Sequence, residues 1–459
     1  MSRITPLLRH PIVLWTLMFL ALVLLWLPAA GFPITSDTTN YYLLGQSFWR
    51  HGTYVLDGAP YAKHLPLHAI LSYPLAVLLG PSLGMKTSTL LAGFAVLLGT
   101  FFLFRKSFSF PVALLAAIFV LFHHGFILMT MLGSADLLFT ALFLFSLAAF
   151  DRAEKDTRWY LLAGLLAGLS ILTRYNGLIL FPLYAFFILW KRRSHLKSGS
   201  LWAGLVLACA VAGIWFTRNA LVFGNPLHTE YGSEYGDHVP SLVGEVLKNL
   251  LYYGNSLHNI LPVLLVLALW GLWREGRKQP LLVLGFLAGI AFGLLWWVKG
   301  IRFAFPGYPV LLGFSAIGAA DAWKRLANAR WIVPITIMFT VALHASVLCV
   351  YTYGQCNAWV DRTFRLFPPN LGLSSEGLYG YGRAKDFINA QAPAGSVVLV
   401  PGMNEPAWRS GFFRSDIRVV RSLTEACPAY EIVQAKPVTS PLFSTASAPP
   451  TFVVLRECP

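Results

Sequence analysis

Apolar blocks close to 20 residues long recur along nearly the whole chain, and nothing else in the sequence restricts the fold as strongly. A helix of ~20 residues is long enough to cross the hydrocarbon of a bilayer. Inside hydrocarbon every backbone amide must be satisfied within the protein, so consecutive apolar blocks of this length read as helices. They begin with Pro11 to Ala30 and recur near 66–83, 88–104, 109–125, 134–150, 159–173, 177–190, 200–217, 257–273, 280–297, 303–320 and 331–350. The first block exceeds the ~7–15-residue core of a signal peptide and is read as a helix of the mature protein. With 56% hydrophobic and 12% charged residues in 459, the chain is expected to be an α-helical polytopic membrane protein.

The net charge of +15 has a positional meaning. Cations cluster in short turns between apolar blocks: Arg105-Lys106, Arg152 to Arg158, "KRRSHLK" at 191–197, "REGRK" at 274–278 and Lys324 to Arg330. Such turns mark the cytoplasmic side, which makes nucleic-acid binding an unneeded explanation of the basic balance. The opposite side receives 31–65, 126–134, 174–176, 218–256, 298–302 and everything after Val350. Two full crossings within 66–104 would invert every later turn against its charge. That stretch is therefore expected to cross once in net terms, with one block re-entrant or interfacial, giving about 11 spans and a cytoplasmic N-terminus in the plasma (inner) membrane.

Residues 1–350 thus form a transmembrane domain, and 351–459 change character. "AKDFINAQAP" reads as a short helix and "GSVVLVPG", "SDIRVV" and "PTFVVL" as strands, which predicts a small extracytoplasmic α/β domain. Cys356, Cys427 and Cys458 lie there, and in an oxidising compartment one pair is a disulfide candidate.

The external segment 31–65 carries an early acid, Asp37, in "ITSDTTNYYLLGQSFWRHGTYVLDGAPYAKHLPLH". Tyr41, Leu44 and Phe48 follow it at helical spacing up to Gly52, so an amphipathic helix lying on the membrane face is expected. Locally, Asp37 fits a helix N-cap as well as a reacting group. Asp136 opens a later span, where a carboxylate is costly unless it faces water or a partner; a helix-dipole role is the alternative. His228, Glu230, Glu234 and Asp237 in "NPLHTEYGSEYGDH" are candidates for acceptor or metal contacts, but their spacing fits no defined metal site. His123-His124 reads as interfacial.

The order of these features resembles the GT-C glycosyltransferases that use polyprenyl-phosphate sugars, particularly the branch holding protein O-mannosyltransferases and the lipid A aminoarabinose transferase. The resemblance rests on "TSDTTNYYLLGQSF", "PYAKHLPLHAIL", "GSADLLFTALFLF", "LTRYNGLILFPL", "RNALVFGNPL" and "IRFAFPGYP", in that order over about residues 10–320. It implies Asp37 as the general base that deprotonates an acceptor, Lys63 and Arg302 as cations on the donor phosphate, and Asp136 as an acid near the reaction centre. A lipid-phosphate leaving group needs fixed positive charge, and the topology adds Arg174, Arg218 and Lys299 to the candidates; each cation also reads as a snorkelling or headgroup-binding residue. Tyr41, Tyr61, His228 and Glu230 are expected to contact donor or acceptor. Asp-Thr stands where protein mannosyltransferases have Asp-Glu, and Ala62 where relatives often carry an acid. No cofactor is required by this chemistry, and a divalent metal is not indicated. The expected function is transfer of a single sugar from a polyprenyl-phosphate donor to an extracytoplasmic lipid, glycan or protein acceptor, with inversion at the anomeric carbon. A polytopic transporter and an oligosaccharide ligase or polymerase of GT-C-like fold are the competing expectations.

Overall fold

A computed structural model describes residues 11–27; 36–325 apart from 57, 240, 256–261 and 299; positions 331 and 338; and, in the tail, 384–399, 414, 416–420, 429–434, 440–444 and 451–456. The chain enters through α1 (Pro11–Trp26) and α2 (Ser36–His51), the latter over the stretch expected to form an interfacial helix. Gly52 ends α2 in the left-handed region at φ 66, which only glycine adopts without cost. A two-stranded hairpin follows, β1 (Val55–Leu56) and β2 (Ala59–Pro60).

The next 40 residues form two helices of unequal length. α3 (Pro66–Leu79) and α4 (Pro81–Arg105) are separated by Gly80 alone, at φ 86. His68, near the start of α3, bonds Gly133 O at 3.0 Å, and Met85, just beyond its end, lies against the same glycine. Both ends of α3 therefore stay at one level, beside α2, where Gly45 approaches Ala69 and Tyr73. α3 thus fits the block expected to lie along the interface, and the 25-residue α4 is long and apolar enough for the expected single crossing. The break falls at Gly80-Pro81 rather than near 84–87, because proline at a helix start needs no amide partner.

Two segments expected as loops are helical. The block at 109–125 bends by 66° between α5 (Phe110–Leu121) and α6 (His124–Leu132), so 126–134 is an apolar helix whose Phe126, Ile127 and Met129 are buried. Segment 218–256 holds the end of α10 (Gly199–Phe223), α11 (Tyr231–His238) and α12 (Leu242–Asn255). In α12 the usual amphipathic arrangement is reversed: Glu245 and Asn249 are buried while Leu242, Val243, Leu247, Leu250 and Leu251 point outward, as in a helix resting on lipid. Asn249 Nδ2 binds the carbonyls of Leu294 (3.0 Å) and Trp296 (2.8 Å), at the end of α14 (Pro280–Leu295).

The remaining bundle comprises α7 (Asp136–Arg152), α8 (Trp159–Thr173), α9 (Leu180–Lys191), α13 (Pro262–Glu275), the single turn α15 (Ile301–Ala304) and α16 (Tyr308–Arg325). Small residues let the backbones touch: a Cβ on Gly164 of α8 would sit 2.0 Å from Gly204 O of α10, and one on Gly318 of α16 equally close to Leu267 O of α13. Among the described residues three 25-residue helical segments are long and apolar enough to cross unaided: Pro81–Arg105, Gly199–Phe223 and Ile301–Arg325. The other apolar helices are shorter than the ~20 residues of a straight span. Most of the block expected at 331–350 lies outside the described residues.

Charge is segregated along the bundle. At the far end of α7 from Asp136, Lys106 Nζ meets Asp151 and Glu154 at 2.8 Å and Arg192 meets both at 3.3 Å. Asp321 near the end of α16 gathers Arg325 and Arg274 at 2.8 and 3.7 Å. The basic turns expected on one side thus converge at one end.

The tail carries the helix expected at "AKDFINAQAP", over 384–391, and a five-stranded mixed sheet. β3 (Val397–Leu399), β4 (Arg418–Val420), β5 (Ala429–Gln434), β6 (Phe443–Ser444) and β7 (Thr451–Arg456) lie in the order β4-β3-β5-β7-β6. Ala384 and Ile388 pack on Val398, Ile432 and Val453 to form its own small core. The sequence pattern missed β5 and β6. Cys356, Cys427 and Cys458 lie outside the described residues.

Candidate active site

Six segments meet at the end of the bundle opposite the basic turns: the start of α2, the stretch between β2 and α3, the start of α7, the turn after α8, the entry into α11, and the connection from α14 into α15. They enclose a cavity of about 360 Å³. Asp37, Tyr41, Lys63, Asp136, Arg174 and Arg302 all line it, so six candidates scattered over 266 positions face one space. Thr38 fastens the α2 end by donating its hydroxyl to Leu132 O, and His68 holds α3 to Gly133 O.

The carboxylate of Asp37 is held from two sides. His64 Nε2 lies 3.5 Å from Oδ1, and Arg302 Nη1 donates to Oδ2 at 3.1 Å. Withdrawal from water favours the neutral acid, but the hydrogen bond from His64 and the charges of Arg302 and Arg174 outweigh it and hold Asp37 well below the usual carboxylate range. Asp136 is placed differently. Arg174 Nη1 donates to its Oδ1 at 2.5 Å and Ser134 Oγ to its Oδ2 at 2.7 Å. Its side chain is 4% exposed, against 31% for Asp37. The cavity therefore offers Asp37 to an incoming group, while Asp136 is spent on orienting Arg174.

The other candidates stand behind the cavity wall. Arg218 donates to the carbonyls of Tyr61 (3.1 Å) and Tyr54 (3.0 Å) and lies over the Trp215 ring. Glu230 Oε1 accepts from Ala62 N at 3.1 Å, and Tyr175 OH donates to Ala62 O at 2.9 Å. These groups clamp the hairpin and the segment carrying Lys63 and His64. His228 stacks on Phe223 with ring centroids 4.1 Å apart, and Tyr61 OH reaches His64 Nδ1 at 3.1 Å. His123, expected at the interface, is fully buried beside Tyr308 and Phe305, so it belongs to the core. Lys299 and the side chains of His124, Glu234 and Asp237 lie outside the described residues.

Sequence reasoning missed His64, Ser134 and an aromatic wall of Tyr231, Trp296 and Trp297, with Tyr231 and Trp296 centroids 5.2 Å apart. Lys63 sits 5.4 Å from the Tyr231 centroid. The adjacency of His64 to Lys63 in "AKHLP" was the available signal for the histidine; the tryptophans carried none, being two among 15. Among the described residues no group of three or more His, Cys, Asp and Glu side chains is arranged to hold a metal ion.

An acid after the first helix and a cavity of ionisable groups at one end of the bundle fit the resemblance drawn from the sequence, and comparison with known proteins bears on it directly. Residues 69–215 match the family described as dolichyl-phosphate-mannose-protein mannosyltransferase. The structure of ArnT from Cupriavidus metallidurans bound to undecaprenyl phosphate superposes with a TM-score of 0.59 at 15% identity, over 96% of this chain and 97% of that one. The archaeal oligosaccharyltransferase AglB from Archaeoglobus fulgidus, in complex with an inhibitory peptide and a dolichol-phosphate, gives 0.51 at 11% identity, over 87% and 64%. No curated protein sequence matches significantly. The chain shares the fold of ArnT over nearly its whole length, the GT-C fold that its sequence motifs implied, and residues 69–215 match the mannosyltransferase family.

Proposed function

We propose that this protein is a multi-pass membrane glycosyltransferase that moves one sugar from a polyprenyl-phosphate donor to an extracytoplasmic acceptor, with Asp37 as general base. The observation that carries this reading is the pairing of an accessible, ionised carboxylate with fixed cations in one cavity: Lys63, Arg174 and Arg302 line it with Asp37 and Asp136. Three cations against two carboxylates leave an excess of positive charge for a leaving phosphate.

In the reaction the acceptor O–H gives its proton to a carboxylate oxygen of Asp37 as its oxygen bonds the anomeric carbon. The bond from that carbon to the phosphate oxygen breaks, and the electron pair stays on the polyprenyl phosphate. Attack from the face opposite the phosphate inverts the centre. Arg302, bound to Asp37 at rest, is placed to turn toward the phosphate as charge grows there, releasing Asp37 for the proton. The low proton affinity of Asp37 keeps it ionised and suits late proton transfer, after the leaving bond has largely broken.

A cavity of about 360 Å³ favours one sugar over a long glycan at the reacting position. The gathering of ionisable groups at one end, rather than at mid-bundle, speaks against a transporter. Placing the basic end in the cytoplasm puts the cavity and the tail outside, with the N-terminus inside. The testing experiment uses membranes from a deletion strain, complemented with wild type or Asp37→Asn and fed radiolabelled polyprenyl-phosphate sugar. Label should leave the lipid only with wild type; equal transfer by both would refute the assignment of Asp37, and no transfer by either would refute the donor class.

A further inference from the structure

At the opposite end of the bundle, α8, α9 and α10 leave a second cavity of about 280 Å³ that takes no part in the chemistry above. Its lining is almost entirely carbon, from Ala163, Ala167, Phe181, Ala185, Leu205 and their neighbours, and the Tyr184 ring stacks on Phe150 at 4.0 Å on its wall. The lip is a built structure. The 3-10 turn Arg193–Lys197 contributes Leu196, the Trp202 indole N–H donates to Leu196 O at 2.8 Å, and Tyr160 OH meets His195 Nδ1 at 2.8 Å.

Around this lip the charge is one-sided. Lys191, Arg193 and Lys197 are exposed, and none forms an ion pair with a carboxylate among the described residues, whereas Arg192 between them is buried against Asp151 and Glu154. Residues 191–200 contain no acid. Trp190 and Trp202, each about half exposed, sit at the same level, as interfacial anchors do. An apolar cleft with three exposed cations on the turn at its lip matches an amphiphile with an acyl chain and an anionic head.

We infer that this groove binds an anionic phospholipid, its acyl chain between α8, α9 and α10 and its phosphate on Lys191, Arg193 and Lys197. Each near-surface cation favours an anionic head by about fivefold, so three together give roughly a hundredfold preference over a zwitterionic lipid. The occupant is independent of the sugar-transfer chemistry, and its test does not use activity.

The purified full-length protein is exchanged into micelles holding equal amounts of phosphatidylglycerol and phosphatidylcholine, and bound lipid is counted by native mass spectrometry. Wild type should retain phosphatidylglycerol at least tenfold over phosphatidylcholine. The Lys191→Gln/Arg193→Gln/Lys197→Gln variant should reduce that preference to within twofold. Ala185→Trp, filling the groove from its open side, should lose the bound lipid while the three cations remain; Leu205→Trp on the α10 wall serves the same purpose if the first variant does not fold. Equal retention of both lipids by wild type would overturn the inference, as would an unchanged preference in the charge variant. Phosphatidylglycerol still bound to both folded groove-filling variants would place it on the basic turn alone and overturn the groove.

Discussion

Asp37 and Asp136 are the same residue type at the starts of two helices, and their neighbours give them different work. Asp37→Asn keeps the volume and one acceptor oxygen for Arg302 but removes basicity. Turnover should drop by about 10²-fold or more with expression and donor binding retained; a stable variant transferring at the wild-type rate would remove Asp37 from the mechanism. Lys63→Ala should weaken donor use by roughly ten- to hundred-fold, the scale of a lost charge-assisted bond. Arg302→Ala should do so too and, because a cation beside Asp37 is gone, raise the pH at which activity fails on the acid side; steady-state kinetics across pH separates the two. His68 gives a stability test. Burial pushes its pKa down to about 4, against an ordinary 6.5, despite its bond to Gly133 O. The folded state then binds fewer protons than the unfolded one between those values. Its contribution is complete above pH 6.5 and is lost as pH falls toward 4, on the order of 3 kcal/mol in all. Thermal unfolding of His68→Gln should show a flatter slope in that window than wild type.

At the scale of elements, α12 turns its leucines outward and α3 folds back into α4 at Gly80, as expected of apolar stretches that lie along a bilayer without crossing it. Close helix contact is the other recurrent device. Replacing Gly164 with leucine would drive a side chain into Gly204 O, where even a Cβ would be 2.0 Å away, so α8 and α10 must separate. A thermal-stability loss of about 1–3 kcal/mol or more is expected, with Arg174, one residue beyond α8, displaced from Asp136. Gly213→Ala, in open space on the same α10, is the control and should be neutral or stabilising by up to about 1 kcal/mol. Equal melting temperatures for the two variants would disprove the packing role.

Over the whole molecule, one end holds the cavity and the other the basic turns, about 25 Å apart along the 17 residues of α7. Single cysteines in a cysteine-free background test which end faces out. An impermeant maleimide on intact cells should label position 227, whose leucine is 70% exposed beside the cavity end, and spare position 194 until the membrane is opened. The reverse pattern would invert the topology and with it the site of transfer.

Much of this was legible in the sequence because it depends on local pattern. Apolar block length identifies helices, clustered cations identify one end of the bundle, and three of the tail's five strands follow from alternation and turn residues. The position of Asp37 after the first helix, and the ordered motifs, singled out six residues that line one cavity. What the chain could not show locally is who meets whom. Arg302 reaches Asp37 across 265 positions and Arg174 reaches Asp136 across 38. Arg218 and Glu230 look from sequence like equally good ligands, yet the fold turns them onto backbone groups of residues 54–62. A side chain's type and its side of the membrane are properties of a segment, whereas its partner is set by how several helix ends converge, and only the tertiary structure decides that.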